Sequence, residues 1–230
     1  MHRPAPAVTA LEVVLILLAA AALSVPRGSW RYFGLYVTIV HELGHAFAAL
    51  MTGRLLTGIQ LRFDQSGTTS STGRAQAVWA GFWGYPVPAL LGAALVWSGI
   101  NGWASAALSA GSILLVLTVL FIRNWQGLLI LAAAVVVAGA LVLFAPDAFL
   151  GHLTLVLGIA LLVGAVRDWL NLLSVHLRRR HQLASSDAYL LARSTGVPAA
   201  VWLVLFGAVI ALAWLGAAAA ALPALTLVAA

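Results

Sequence analysis

Runs of about twenty apolar residues, separated by short segments that carry the arginines, leave this chain few folds to choose from. A helix rising 1.5 Å per residue needs about 20 residues to cross roughly 30 Å of hydrocarbon. Seven runs meet or approach that length, at about 7–25, 31–52, 75–97, 104–122, 127–144, 153–175 and 199–218. The chain is 63% hydrophobic and only 8% charged, whereas soluble domains carry about a quarter charged residues. The expected fold is an all-α polytopic membrane protein with about seven transmembrane helices, forming a single domain over residues 1–230. One segment departs from this pattern. Ile59, Leu61 and Phe63 alternate with Gln60, Arg62 and Asp64, Gln65-Ser66-Gly67 reads as a turn, and Thr68 to Thr72 is polar and largely β-branched. The period of two predicts a β-hairpin outside the lipid, either a simple connector or an edge to which an unwound peptide adds as a strand.

All 12 basic residues are arginine, against six acids, for a net charge of +6. Such an excess also occurs in nucleic-acid binders, but here the arginines flank apolar runs, where they encode orientation in a bilayer. A lipid bilayer is therefore the expected partner and nucleic acid is not. With alternate loops on opposite sides, nine arginines fall on the side of the N-terminus and only Arg27 and Arg31 on the other, Arg167 being set aside as intramembrane. That bias predicts a multi-pass cell-membrane protein with a cytoplasmic N-terminus, and the Lys-free, Ala-rich composition fits a GC-rich bacterial genome. The first run has a positive start and small residues near Ala19 to Ala22, as a cleaved signal peptide would. It exceeds the usual signal core of about 7–15 residues, so a retained helix is the expectation. The chain has no cysteine, which leaves His, Asp and Glu as its strong metal ligands.

Inside the second run lies His41-Glu42-Leu43-Gly44-His45. Residues four apart share a helix face, so His41 and His45 can offer two nitrogens to one tetrahedral metal, with Glu42 beside them to take a proton from water. Ionisable groups at membrane depth are costly and mark functional sites. Two histidines do not complete a zinc site, which takes a third protein ligand. Leu43 is roughly 16 Å along its helix from Arg54, and Asp168 roughly 15 Å from Arg178, so equal depth makes Asp168 the first candidate. Asp187 is the second, because a short helix starting at Ser185-Ser186-Asp187 and ending at Gly196 can fold back toward the membrane. Asp64, His176 and His181 are expected nearer the cytoplasmic surface, and Asp147 and His152 on the opposite side. Asn171, one turn from Asp168, either orients a ligand, binds substrate backbone or bonds a neighbouring helix. The segment Gly81 to Pro88 reads as a substrate-lining wall or a kinked packing helix, and Arg167 as paired or snorkelling. Gly53 is expected to cap the second helix at its C-terminal end.

Taken together, the His-Glu-x-x-His in an early span, the hairpin directly after it, the Gly/Pro-rich span and an Asp in a late span resemble the site-2 protease family of intramembrane zinc metalloproteases. The stretch from Ser185-Ser186-Asp187-Ala188 to Thr195-Gly196-Val197-Pro198 is similar to a compact bacterial branch without a soluble peptide-binding domain. The resemblance implies a zinc-dependent metalloendopeptidase that hydrolyses a peptide bond in or near a transmembrane segment of a protein or peptide substrate. It implies Zn2+ on His41, His45 and Asp168, with Glu42 as the catalytic base. Two other classes compete with that expectation. A metal transporter would use the same histidines as a transit site along a polar path, and a non-catalytic relative that binds or chaperones membrane proteins would not need Glu42. Oligomeric state and substrate identity are left open by the sequence.

Overall fold

The computed structural model describes residues 9–73 and 77–229. Arg3 and Arg74, which enter the charge count, lie outside them, as do the first residues of the first and third apolar runs. The chain starts with helix α1 (Ala10–Ser24). Thr9 caps it by accepting from the Glu12 N–H at 3.3 Å, and the Glu12 carboxylate accepts in return from the Thr9 N–H at 2.7 Å. This reciprocal box satisfies two of the donors that a helix start leaves open, and the second Glu12 oxygen lies 3.3 Å from Nε2 of His152. Pro26 ends the helix and α2 (Arg27–Met51) follows at once. The carbonyls of Ser24 and Val25 both accept from the Arg167 guanidinium at 2.8 Å, which also sits 4.3 Å over the Trp30 ring. Arg167 thus satisfies backbone oxygens at the end of α1. Gly53, with φ of +72°, turns the chain out of α2 as expected of a C-terminal cap.

Strands β1 (Leu55–Leu61) and β2 (Gly67–Thr72) form the antiparallel hairpin, with Ile59 opposite Thr69 and Leu61 opposite Gly67. It is fastened on three sides. At its tip, Gln65 donates to the Trp30 carbonyl at 3.1 Å and its own carbonyl accepts from the Thr38 hydroxyl at 3.1 Å. Gly34 makes that possible, since a Cβ there would lie 2.7 Å from the Gln65 side chain. Along the outer edge of β1, the Arg123 N–H donates to the Ile59 carbonyl at 2.9 Å. There the Asn124 side chain also accepts from the Leu61 N–H at 3.1 Å and donates to its carbonyl at 2.7 Å. At its base, Arg54 donates to Ser71 and Gly73. Ile59 and Leu61 are 1% exposed and pack with Ile39, Ala46 and Leu131. Alternation therefore buries one face of the strand against α2 and leaves the polar face open.

The third apolar run divides. A short α3 (Ala77–Phe82) is separated by Trp83-Gly84-Tyr85 from α4 (Pro86–Ile100), whose first residue is a proline, with φ already set for a helix start. Next come α5 (Ala104–Thr118), α6 (Trp125–Phe144) and the long α7 (Asp147–Leu177). A 3₁₀ segment, Arg180–Ser185, leads into α8 (Asp187–Thr195), which ends at Gly196 with φ of +77°, and α9 (Ala199–Ala229) closes the described chain. Helices α4 and α7 cross closely at Gly92 and Gly158, where a Cβ on either would lie 2.7 Å from the carbonyl oxygen of the other. Small residues at a crossing let two backbones approach, which is how apolar helices associate without a hydrophobic driving force between them. Among the described residues, five helices are long and apolar enough to cross a membrane: α2, α5 with its 3₁₀ extension, α6, α7 and α9. The count of seven is not reached on that criterion, because α1 and α4 have 15 residues each.

Candidate metal centre

Helix α2 places His41 and His45 one turn apart with their Nε2 atoms 3.1 Å from each other. Oδ2 of Asp187, the first residue of α8, lies 3.3 Å from the first and 3.2 Å from the second. Bonds of about 2.0–2.1 Å to a tetrahedral zinc set its ligand atoms about 3.3 Å apart, so these three donors are spaced as one face of such a tetrahedron. The donor set, two imidazoles and a carboxylate, is also one that zinc takes at catalytic sites. The ring orientations are fixed from outside. Nδ1 of His45 donates to the Ala80 carbonyl at 2.8 Å. A carbonyl can only accept, so the proton is on Nδ1 and Nε2 is free to ligate. The His41 ring stands edge-on to Tyr85, centroids 4.7 Å apart, and Tyr85 stacks on Phe206 of α9 at 5.2 Å. The break between α3 and α4 lies directly against both rings: a Cβ on Gly84 would be 2.3 Å from Nε2 of His45 and 2.7 Å from Nε2 of His41. Gly44 allows α2 that approach, since a Cβ there would lie 2.5 Å from the Trp83 carbonyl oxygen.

Asp187 is aimed by its neighbour. Ser186, 5% exposed, is the N-cap of α8, accepting from the Tyr189 N–H at 3.4 Å, and its hydroxyl is 2.7 Å from Nε2 of His176 in the last turn of α7. Burial alone would raise the Asp187 carboxyl. The two imidazoles beside it overcome that and hold it below the ordinary carboxylate range.

Glu42 is 4% exposed and turns toward the hairpin. The Thr69 hydroxyl lies 2.7 Å from its Oε2 and 3.0 Å from its main-chain oxygen, and Gly67 lies flat against its carboxylate. Together with β2, α3, α7 and α8, these residues enclose a cavity of about 1060 Å³, whose lining includes His41, Glu42, His45 and Asp187.

Asp168, expected as the third ligand, lines this cavity from α7. It is not in the group of donor atoms that lie within 4.8 Å of one another, among the described residues, whereas His41, His45 and Asp187 are. Equal depth along the helices favours Asp168 only where the chain after Arg178 leaves toward the surface. The 3₁₀ segment instead returns it, and α8 packs beside α3 and α9 with its first residue at the imidazoles. Asn171 is taken up elsewhere: its carbonyl accepts from Arg179 at 3.0 Å, with its side-chain oxygen bonding the same guanidinium. The residues that sequence reasoning passed over are Thr69, Gly67, Gly84, Ala80 and Ser186. Ser186 left a trace in the Ser-Asp pattern of a helix start, and Gly84 lies within the Gly81 to Pro88 stretch read as a wall or a kinked helix.

A model of the Peptidase M50B-like family matches residues 14–217. No curated protein and no solved structure matches the chain.

Proposed function

The chain belongs to the Peptidase M50B-like family, within the site-2 proteases, and from that membership and the donor geometry we propose that it is a zinc-dependent intramembrane endopeptidase. The observation that carries this reading is the convergence of His41, His45 and Asp187 within ligand distance of one another, with Glu42 adjacent on the same helix. In this reading His41 and His45 hold the ion through Nε2 and Asp187 through its carboxylate, and Asp168 forms part of the cavity wall. Zinc bound there supplies a Lewis acid that makes water a nucleophile near neutral pH and polarises the scissile carbonyl.

The protein's own part follows from the residues around the ion. Glu42 accepts the proton of the attacking water as the new C–O bond forms, and returns it to the amine nitrogen as the C–N bond breaks, so the proton balance closes within one carboxylate. The Ala80 carbonyl keeps the His45 ring in its ligating tautomer throughout. A transmembrane substrate keeps its peptide groups bonded within its own helix, so it must unwind to present one of them, and Gly or Pro near the bond lowers that cost. The outer edge of β1 is covered by Arg123 and Asn124, while β2 lines the cavity. The unwound segment is therefore assigned to β2 by strand addition. The proposed setting is a bacterial cell membrane with the active-site side cytoplasmic, as the arginine bias implies.

The test is to purify the protein with zinc and measure metal content and cleavage of a panel of single-span peptides. Glu42→Gln is expected to retain zinc and lose cleavage, and His45→Ala to lose both. A Glu42→Gln protein that cleaves like the wild type removes the base from the mechanism.

A further inference from the structure

A general base works only if its carboxylate is within about 2.6–3.2 Å of the proton it takes, in the right orientation. Glutamate has three side-chain torsions, and each must be set for Glu42 to act. The hairpin fixes them. The Thr69 hydroxyl is within hydrogen-bond reach of both Oε2 at 2.7 Å and the main-chain oxygen of the same residue at 3.0 Å. Its single proton is thus shared between the carboxylate and the main-chain oxygen of one residue. Oε1 is confined from the other side by Gly67, where a Cβ would lie 2.3 Å away. Thr69 is itself held. Its branched side chain is stiff at χ1, and its ladder partner is Ile59, which is 1% exposed and anchored at its carbonyl by the Arg123 N–H.

We propose that Thr69 is a positioning residue for Glu42: its hydroxyl sets the rotamer in which the carboxylate faces the cleavage chemistry, which makes the hairpin a working part of the active site. This rests on the reading of Glu42 as the base. Thr69 acts through Glu42, and neither ligates the ion nor supplies the proton. The alternative is that the bond merely ties a strand to a helix, and the two differ in what they predict. A positioning role concerns the turnover step alone and needs a hydroxyl, not a methyl. A tie affects folding and metal retention.

The experiment compares Thr69→Val, which keeps shape and loses the hydroxyl, with Thr69→Ser, which keeps the hydroxyl, and with Glu42→Gln. Each full-length protein is loaded with zinc and assayed on one single-span peptide for kcat and KM, alongside zinc content and melting temperature. Thr69→Val is expected to lower kcat by about tenfold to a hundredfold, the usual effect of removing a partner behind a working group. KM, zinc content and melting temperature stay at wild-type values, and Thr69→Ser recovers most of the rate. Wild-type kcat in Thr69→Val overturns the proposal, as does an equal loss in both variants or a loss accompanied by departure of zinc. If Glu42→Gln and the wild type do not differ, the base itself is misassigned and the role of Thr69 falls with it. If Glu42→Gln is inactive while Thr69→Val is not, the positioning role alone is wrong.

Discussion

Oδ2 of Asp187 lies 3.2 Å from Nε2 of His45, joining the start of a short helix late in the chain to the middle of one near its beginning. His41 brings a second nitrogen to the same point. Three donors that converge with their lone pairs are favourable only around positive charge, and one divalent cation satisfies all three together.

The aim of Asp187 depends on Ser186, which caps α8 and bonds His176. Ser186→Ala should cost about 0.5–2 kcal/mol of stability, as loss of an N-cap does, and weaken zinc binding by about tenfold, as loss of an outer partner does. Zinc titration against a competing chelator, together with a melting curve, checks both. Unchanged affinity would show that α8 holds its first residue without the cap.

Gly84 lies directly against both imidazoles. The methyl of Gly84→Ala would enter at 2.3 Å from Nε2 of His45, and both the ligand ring and the backbone break would have to move. Zinc affinity should fall by about 100-fold, in line with a displaced ligand shell. Gly139, whose Cβ would meet nothing within 4 Å, supplies the control: Gly139→Ala should leave metal content unchanged.

Asn124 imitates a third strand by pairing with both main-chain groups of Leu61. Asn124→Ala leaves a nearly buried N–H and carbonyl without that partner, at about 1–3 kcal/mol each. Protection of the Leu61 amide against hydrogen exchange should drop by roughly tenfold to a hundredfold, which mass spectrometry of the hairpin peptide would detect. An unchanged rate would mean that the remaining contacts hold the edge.

How much of this could be read in advance depended on whether the signal was local. The histidine pair and Glu42 follow from helix spacing within five residues. The alternation from Ile59 to Asp64 likewise announced a strand, although β1 ends at Leu61 and the turn runs from Arg62 to Ser66, and Gly53 and Gly196 announced helix ends that the structure places at positive φ. What escaped was set by tertiary return of the chain. Asp168 and Asp187 offer the same functional group, and depth along a helix favoured the first, since nothing in Arg178 to Ser185 announces that this stretch turns back as a 3₁₀ segment. The third apolar run showed a kink at Gly81 to Pro88 but not a full break into two helices. Trp83-Gly84-Tyr85 is as apolar as its flanks, so hydropathy runs through a break that only the packing of Gly84 against two imidazoles requires. Thr69 left no sign at all, because a threonine in a polar strand is the commonest of residues until its partner across space is known.

The most direct measurement is zinc stoichiometry and affinity in purified Asp187→Ala and Asp168→Ala proteins beside the wild type. The account predicts about one zinc per chain in the wild type and in Asp168→Ala, and loss of tight binding in Asp187→Ala. Retention of zinc by Asp187→Ala with its loss from Asp168→Ala would contradict it.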